Sequence, residues 1–195
     1  MVRDTRNASG RNLVSSIDFS NIEGVKLVQA VSSSDSRGRF IKFHPENFLH
    51  DKLDSVAVSI NPKVGTIRGI HFQIEPFAEE KIITCIQGSI FDVVVDIRPG
   101  SKTFGRWSSI ELSADNSLQA YLPKGIAHGF QTLLPNSTVH YGITSIYSPE
   151  SSYAIDPFGD LDIDWPVEIL AISERDKNGI SLSEAAQKYA DSLKV

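Results

Sequence analysis

Two histidines in this 195-residue chain stand beside glycines in segments that have the composition of β-strands. His71 ends the segment RGIH, and His128 lies in the segment PKGIAHGF. A glycine leaves room for another group to approach the backbone, so these two histidines are the ones expected to face a ligand. Imidazoles titrate near neutral pH and can therefore move protons in the physiological range. The other histidines lack this setting: His44, His50 and His140.

Lys81 and Tyr141 complete a set of groups suited to moving a proton on and off a carbon beside a carbonyl. That chemistry needs a base, a proton donor on the opposite face, and a positive group near the developing enolate oxygen. One well-placed donor to such an oxygen commonly lowers the barrier by about 3 to 4 kcal/mol. The sequence alone does not bring these groups together. A solvated lysine at a strand end and a tyrosine in the core would fit the same pattern.

The segments that must position these groups are short, rich in β-branched and aromatic residues, and separated by turn-forming residues. About ten such runs lie between Val25 and Ser148, with no helical pattern between them. This arrangement predicts an all-β fold, a sandwich or barrel of the jelly-roll kind. Gln87-Gly88 predicts a tight hairpin, and Pro99-Gly100 predicts another reversal of the chain.

The two ends of the chain differ from its middle. Residues 1–20 lack apolar periodicity and predict a flexible N-terminal arm, which leaves a barrel domain over residues 21–177. Residues 178–195 are expected to form a short helical tail packed on the barrel, beginning at a capping box of Ser181 and Glu184. Apolar residues recur there at helical spacing: Leu182, Ala185, Ala186, Tyr189 and Leu193.

A metal site is not expected around His71. Metal-binding jelly-roll proteins supply a His-x-His pair, whereas Gln73 stands two residues after His71, and an amide is a poor ligand for iron or zinc. Lys81 would repel a divalent cation at the same place. The sequence therefore predicts a protein with no metal and no other cofactor.

The net charge limits which binding partners the protein can have, and the cysteine content bears on its cellular compartment. With 19 basic and 24 acidic residues the net charge is -5, which disfavours a nucleic-acid partner but permits a local pocket for a small anion. Cys85 is the single cysteine, so an internal disulfide is excluded. No apolar run approaches the roughly 18 residues of a membrane helix, and the first residues do not read as a secretion leader. We expect a cytoplasmic protein without a membrane partner.

Four blocks of sequence occur in order along the chain: TIRGIHFQ, KIITCIQGSIFDVVVDIRPGSKTFGRW, LPKGIAHGFQTL and YSPE followed by DLDIDWP. Over residues 24–177 they closely resemble the dTDP-4-dehydrorhamnose 3,5-epimerase family of nucleotide-sugar enzymes. The resemblance implies a metal-free, cupin-type jelly-roll barrel that epimerises a nucleotide-linked 4-keto-6-deoxyhexose, usually at C3 and C5. It also implies a homodimer, with strands near residues 25–31 packed across the two-fold axis.

The resemblance also assigns catalytic roles by position. It makes His71 the base and Asp176, in ISERD, the carboxylate that partners it. Tyr141 becomes the proton donor, and Lys81 stabilises the enolate oxygen at C4. The residues implied to bind substrate are Arg37 at the diphosphate, Asn61, Arg68, His128, and Tyr147 stacked on the base.

Several residues on the substrate side depart from the family pattern, while the catalytic positions are kept. Lys42 and Ser152 stand where glutamates are usual, and Arg175 replaces a lysine beside Asp176. The nucleotide and the sugar therefore stay open. Two other functions also stay open: a nucleotide-sugar 3,4-ketoisomerase, which would move the carbonyl from C4 to C3, and a non-catalytic sugar-binding cupin. The remaining departures are Ile146 and the segment 59–62.

Overall fold

The computed structural model describes residues 16–18, 21–43 and 49–194. The described chain is built mainly of strands, with a four-residue helical turn and a longer helix near its end. The all-β expectation with a C-terminal helix is confirmed. The elements are β1 Ser16–Asp18, β2 Lys26–Gln29, β3 Val31–Asp35, β4 Gly38–Lys42, β5 Ser55–Asn61, β6 Ile67–Gln73, β7 Lys81–Gln87, β8 Ser89–Asp96, β9 Trp107–Ser113, β10 Leu118–Leu122, β11 Ile126–Thr132, β12 Ser137–Ile143, β13 Ser152–Ala154, α1 Glu174–Lys177 and α2 Leu182–Ser192.

Eleven of these strands form two antiparallel sheets that face each other. One sheet has the order β1-β2-β10-β7-β12-β5, and the other has the order β13-β6-β11-β8-β9. Side chains that alternate inward from both sheets form the core between them, including Ile83, Val139 and Phe130. Burying each such side chain stabilises the fold by about 1.5 to 3 kcal/mol. In the part of the chain that the structure describes, strands β3 and β4 pair with each other alone and form a separate hairpin.

The turn at Gln87-Gly88 connects the two sheets, so the predicted hairpin is wrong. β7 pairs with β10 and β12, whereas β8 pairs with β9 and β11. Gly88 has a φ of +74°, and a Cβ at this position would lie 2.5 Å from Oγ of Ser137. Glycine is needed here because the chain turns sharply as it passes from one sheet to the other. The reversal at Pro99-Gly100 does lie between two paired strands, β8 and β9.

Two glycines allow β6 and β11 to approach each other closely. Gly69 has a φ of +118°, and a Cβ on it would lie 2.5 Å from Cα of Gly129. The register of the two strands shifts between His128 and Phe130, and His128 lies directly opposite His71. The glycines beside the histidines therefore make room for a neighbouring strand, and the prediction that they make room for a ligand is corrected to that extent.

The N-terminal part of the chain packs into its own sheet. Residues Ser16–Asp18 fall inside the predicted flexible arm, yet they form β1 and pair with β2; the rest of that arm lies outside the described residues. β2 is flanked by β1 and β10, and Val25 and Val28 are buried. The expectation that residues 25–31 pack across a two-fold axis stays a prediction.

The C-terminal helix packs against the second sheet. Oγ of Ser181 accepts a hydrogen bond from the backbone N–H of Glu184 at 3.1 Å, as the predicted cap requires. Ala185, Ala186 and Tyr189 are buried against the barrel. Neither this helix nor α1 has the length and apolar content needed to cross a bilayer, and these are the helices of the described ranges.

Candidate active site

A cavity of about 340 Å³ lies between the two sheets. Six of the nine predicted site residues line it, and they come from both walls and from the segment that follows β12. The remaining three, Asp176, Asn61 and Arg37, occupy different positions, described below. The six lining residues are Arg68, His71, Lys81, His128, Tyr141 and Tyr147.

His71 and Asp176 form a short imidazole–carboxylate pair. Nε2 of His71 lies 2.6 Å from Oδ1 of Asp176, whose other oxygen accepts the backbone N–H of Gly69 at 3.2 Å. Ser173 caps the helical turn that carries Asp176. Burial disfavours ionisation of Asp176, but its hydrogen bonds with His71 and Gly69 outweigh this effect, so its pKa lies below the usual value. Asp176 thus supplies a permanent negative charge behind the imidazole.

Tyr141 projects into the cavity from the wall opposite His71, because β12 and β6 belong to different sheets. Its ring meets the ring of His128 edge-on, with centroids 6.2 Å apart. Burial raises the pKa of the Tyr141 hydroxyl, and the negative charge of Asp92 raises it further. The hydroxyl therefore keeps its proton at neutral pH and can act as a donor.

Lys81 and Gln73 are both committed to protein contacts. Nζ of Lys81 lies 2.8 Å from a carboxylate oxygen of Glu79, with both side chains nearly buried. The Gln73 amide donates to the carbonyls of Phe77 and Ile146 and accepts the N–H of Ser148, so it ties loops to the cavity wall. The described ranges contain no group of three or more His, Cys, Asp or Glu placed to hold a metal ion.

A second imidazole–carboxylate pair forms part of the wall, and its acidic member is not among the residues predicted from the sequence. Nε2 of His128 lies 2.6 Å from Oδ1 of Asp92, which is fully buried, and Oδ2 of Asp92 has no hydrogen-bond partner. Burial raises the pKa of Asp92, while the nearby His128 lowers it. The effect of burial is larger, so the pKa lies above its usual value. The available signal was an acidic residue at an inward position within the apolar run SIFDVVVD.

Asn61 and Arg37 do not face the cavity. The buried Asn61 side chain accepts a hydrogen bond from Nε of Arg68 at 2.8 Å and donates to the carbonyl of Ser137, so it positions Arg68. Arg37 lies at the tip of the β3–β4 hairpin, paired with Asp35 at 2.6 Å, and 88% of its side chain is exposed. The structure therefore does not bring Arg37 to the other site residues of its own chain.

Comparison with known proteins identifies the family. Residues 20–184 match the family model described as dTDP-4-dehydrorhamnose 3,5-epimerase. The chain belongs to this family. Membership in the dTDP-4-dehydrorhamnose 3,5-epimerase family confirms the resemblance drawn from the four sequence blocks, and with it the cupin-type jelly roll.

Relatives within the epimerase family match most of the chain. A dTDP-4-dehydrorhamnose 3,5-epimerase of Sinorhizobium fredii is 38% identical over 173 residues, covering 84% of this chain and 88% of the relative. The crystal structure of the Bacillus anthracis enzyme, with TDP and PPi bound, has a TM-score of 0.79 at 35% identity, covering 87% and 98% of the two chains. A 3'-monoepimerase from Streptomyces bikiniensis, in complex with dTDP-quinovose, has a TM-score of 0.77 at 34% identity, covering 89% and 88%.

Proposed function

We propose that this protein is a nucleotide-sugar 3,5-epimerase. It inverts C3 and C5 of a dTDP-linked 4-keto-6-deoxyhexose, both of which flank the C4 ketone. The observation that carries the proposal is the placement of His71 and Tyr141 on opposite walls of one cavity. Inversion requires a proton to leave one face of a carbon and return to the other, and this placement provides for both steps.

His71 removes the proton through Nδ1, because its Nε2 is engaged with Asp176. The electron pair of the broken C–H bond moves into the ring and onto the C4 oxygen, which forms the enolate. Asp176 orients the imidazole and compensates the positive charge that His71 acquires. The adjacent ketone is essential, since it alone makes the neighbouring hydrogens acidic enough for this base.

Lys81 stabilises the negative charge on the C4 oxygen, and Tyr141 then donates its proton to the carbon from the other wall. The carbon regains four bonds with the opposite configuration. His71 holds the abstracted proton while Tyr141 is left as a phenolate, and proton exchange with solvent restores both groups. In heavy water, each inverted carbon would therefore acquire deuterium.

The test is incubation of the protein in deuterium oxide with a panel of nucleotide-linked 4-keto-6-deoxy sugars, followed by NMR of the product. Deuterium at C3 and C5 with inverted configuration is the expected result for the dTDP sugar. Labelling at C3 alone would place the protein with single-position epimerases, such as its Streptomyces bikiniensis relative. A product with its carbonyl moved to C3 would identify a ketoisomerase, and no labelling with any sugar would favour a binding protein.

We further propose that the active form is a homodimer joined through β5. Within the described residues this strand is one edge of its sheet, and three alternating apolar residues of it are 53 to 67% exposed: Val56, Val58 and Ile60. A second copy that paired with this edge would bury them. The implied contact of Arg37 with a diphosphate also needs a second copy, since Arg37 lies outside the cavity of its own chain.

A cytoplasmic location remains a prediction from the single cysteine.

A further inference from the structure

The proton that Tyr141 gives to the sugar must be replaced before the residue can act again. Burial raises the pKa of the Tyr141 hydroxyl, so the phenolate left after donation is a strong base. A sugar bound between His71 and Tyr141 would separate this phenolate from the solvent at the cavity mouth. The replacement proton must then come through a neighbouring group of the protein.

Arg68, Lys81 and His128 lie near Tyr141 in the cavity and carry N–H groups. A guanidinium does not give up its proton in proteins, which excludes Arg68 as the source. Lys81 is held by Glu79 at 2.8 Å and serves the C4 oxygen. The ring of His128 meets that of Tyr141 edge-on, and an imidazole transfers protons near neutral pH.

His128 and Asp92 together hold two protons when the pair is electrically neutral. The two side chains are almost completely buried, with Nε2 of His128 2.6 Å from Oδ1 of Asp92. Loss of one proton would leave a buried negative charge, and Oδ2 of Asp92 has no hydrogen-bond partner among the described residues. The neutral pair is therefore favoured at rest. One proton is shared by the two side chains, and the other lies on Nδ1 of His128.

The two imidazole–carboxylate pairs of the cavity thus differ in the number of protons they hold. Asp176 accepts a backbone N–H from Gly69 and has a lowered pKa, so it is ionised and leaves Nδ1 of His71 free to take a proton. Asp92 lacks such a donor, and its pKa is raised. One environment favours a base and the other favours a proton source.

We propose that the His128–Asp92 pair returns a proton to Tyr141 after it has donated, an inference that rests on the proposed function. The Nδ1 proton of His128 moves to the phenolate oxygen, directly or through a bridging water, and the shared proton moves to Nε2. Asp92 is then a carboxylate beside a neutral imidazole. A solvent proton that binds Nδ1 restores the pair, while His71 releases the abstracted proton, so the cycle conserves protons.

The alternative is that Asp92 only holds His128 in place as part of the wall. The two roles differ in when a loss of activity appears. Tyr141 is protonated at rest, so the first donation needs no relay, whereas every later one does. A purely structural pair would affect the first and the later turnovers by the same factor.

The experiment is rapid-quench kinetics of Asp92→Asn in deuterium oxide, with the dTDP-linked 4-keto-6-deoxyhexose in excess over the full chain. An amide keeps the shape of the side chain but cannot pass on a proton. We expect a burst of about one C5-labelled product per active site at a rate within about 2-fold of wild type. Later turnovers should be about 100-fold slower, the effect of one lost acid–base group. The burst amplitude counts the folded sites, so partial unfolding does not change the ratio of the two rates.

His128→Gln interrupts the pair at its other member and should give the same ratio of rates as Asp92→Asn. Glu80→Gln is the matched control and should keep the wild-type ratio. Glu80 also lies against a histidine, with 2.7 Å between its carboxylate and Nδ1 of His50, but it does not line the cavity.

An equal loss in the first and the later turnovers of Asp92→Asn would overturn the proposal, and so would an unchanged steady-state rate. Either result, in a family member whose wild type labels C5, would refute the relay and leave the epimerase standing. Wild-type protein that labels no sugar would refute the proposed function, and the relay with it.

Discussion

At the scale of single residues, the histidines of the site are distinguished from the other histidines by their carboxylate partners. Five histidines occur in the chain, but among the described ones only His71 and His128 have carboxylate partners within the cavity wall. His50 also contacts a carboxylate, that of Glu80, but it does not line the cavity. The sequence could identify the candidate histidines from their glycine neighbours. It could not identify Asp92, because a lone acidic residue in an apolar strand has no local feature that reveals its partner.

His71→Asn is expected to reduce deuterium incorporation at both C3 and C5 by about 1000-fold, because an amide cannot take the proton. Asp176→Asn should give a smaller loss, since the base remains but its positive charge is no longer compensated. NMR of the product in deuterium oxide measures both. His140→Asn is the control, as that imidazole does not line the cavity. Incorporation near the wild-type rate in His71→Asn would remove His71 from the role of base.

Tyr141→Phe is expected to preserve proton abstraction while impairing inversion at C5 more than exchange at C3. The variant removes only the donor hydroxyl, and water can replace it at the more accessible carbon. A loss of about 100- to 1000-fold at C5 is the range for a positioned acid. The ratio of labelling at the two carbons is the measurement. An unchanged ratio, with both carbons inverted at the wild-type rate, would show that another group donates the proton.

At the scale of elements, the sequence predicted where strands lie but not which strands are neighbours. The runs rich in β-branched residues correspond to strands from β2 onward, because strand propensity and alternation are local properties. The turn at Gln87-Gly88 could not be assigned from its own residues, since pairing depends on distant strands. The polar strand β3 and the short strand β13 carry little local signal, and their partners hold them in place.

Gly69→Ala is expected to destabilise the fold by about 3 kcal/mol, from a strained φ and a clash with the backbone of β11. For a chain of this size, that corresponds to a melting temperature lowered by about 6 to 12 °C. Gly100→Ala is the matched control, because no atom lies within 4 Å of its added Cβ. Equal melting temperatures for the two variants, measured by circular dichroism, would contradict the close approach of β6 and β11.

The loop after β8 is held by Asp96, which gives a pH-dependent prediction. Burial disfavours ionisation of Asp96, but hydrogen bonds from Arg98, Ser101 and Thr103 outweigh this and keep its pKa below the usual 3.8. A lowered folded-state pKa stabilises the protein above the unfolded pKa, and this contribution is lost as pH falls through the folded value. Asp96→Asn should cost about 3 kcal/mol at pH 7, with wild type and variant converging below pH 3.8.

Urea unfolding of both proteins between pH 7 and pH 3 measures that difference. The control is Asp115→Asn, an exposed aspartate whose substitution is expected to change stability by less than about 0.5 kcal/mol at any pH. A free-energy difference for Asp96→Asn that grows as the pH falls would show that the carboxylate is not the stabilising form.

At the scale of the whole molecule, the prediction is a dimer that depends on β5. Light scattering should give twice the 21.5 kDa of the chain. Ile60→Lys places a charge on an exposed position, so it should leave the folded chain intact and yield monomers. Leu134→Lys changes a comparably exposed leucine elsewhere and should remain dimeric. A wild-type monomer at micromolar concentration, or a dimeric Ile60→Lys protein, would exclude this interface.

The whole cavity could be anticipated only through the family resemblance. No local pattern indicates that β6, β7, β11 and β12 converge, since these strands are separated by up to about 75 positions in sequence. The same resemblance placed Arg37 with the substrate, but a resemblance carries no information about which copy of the chain supplies a residue. Within one chain, the geometry leaves Arg37 on a hairpin tip.

His71 and Tyr141, the proposed base and donor, lie on opposite sheets, so the distance between them depends on the thickness of the core. Phe130 and Ile83 project from facing sheets and act as spacers between them. A change in their volume would alter the gap that a sugar ring must bridge, without changing any side chain that touches it. The separation of the two cavity walls is thus set by core side chains that do not touch the ligand.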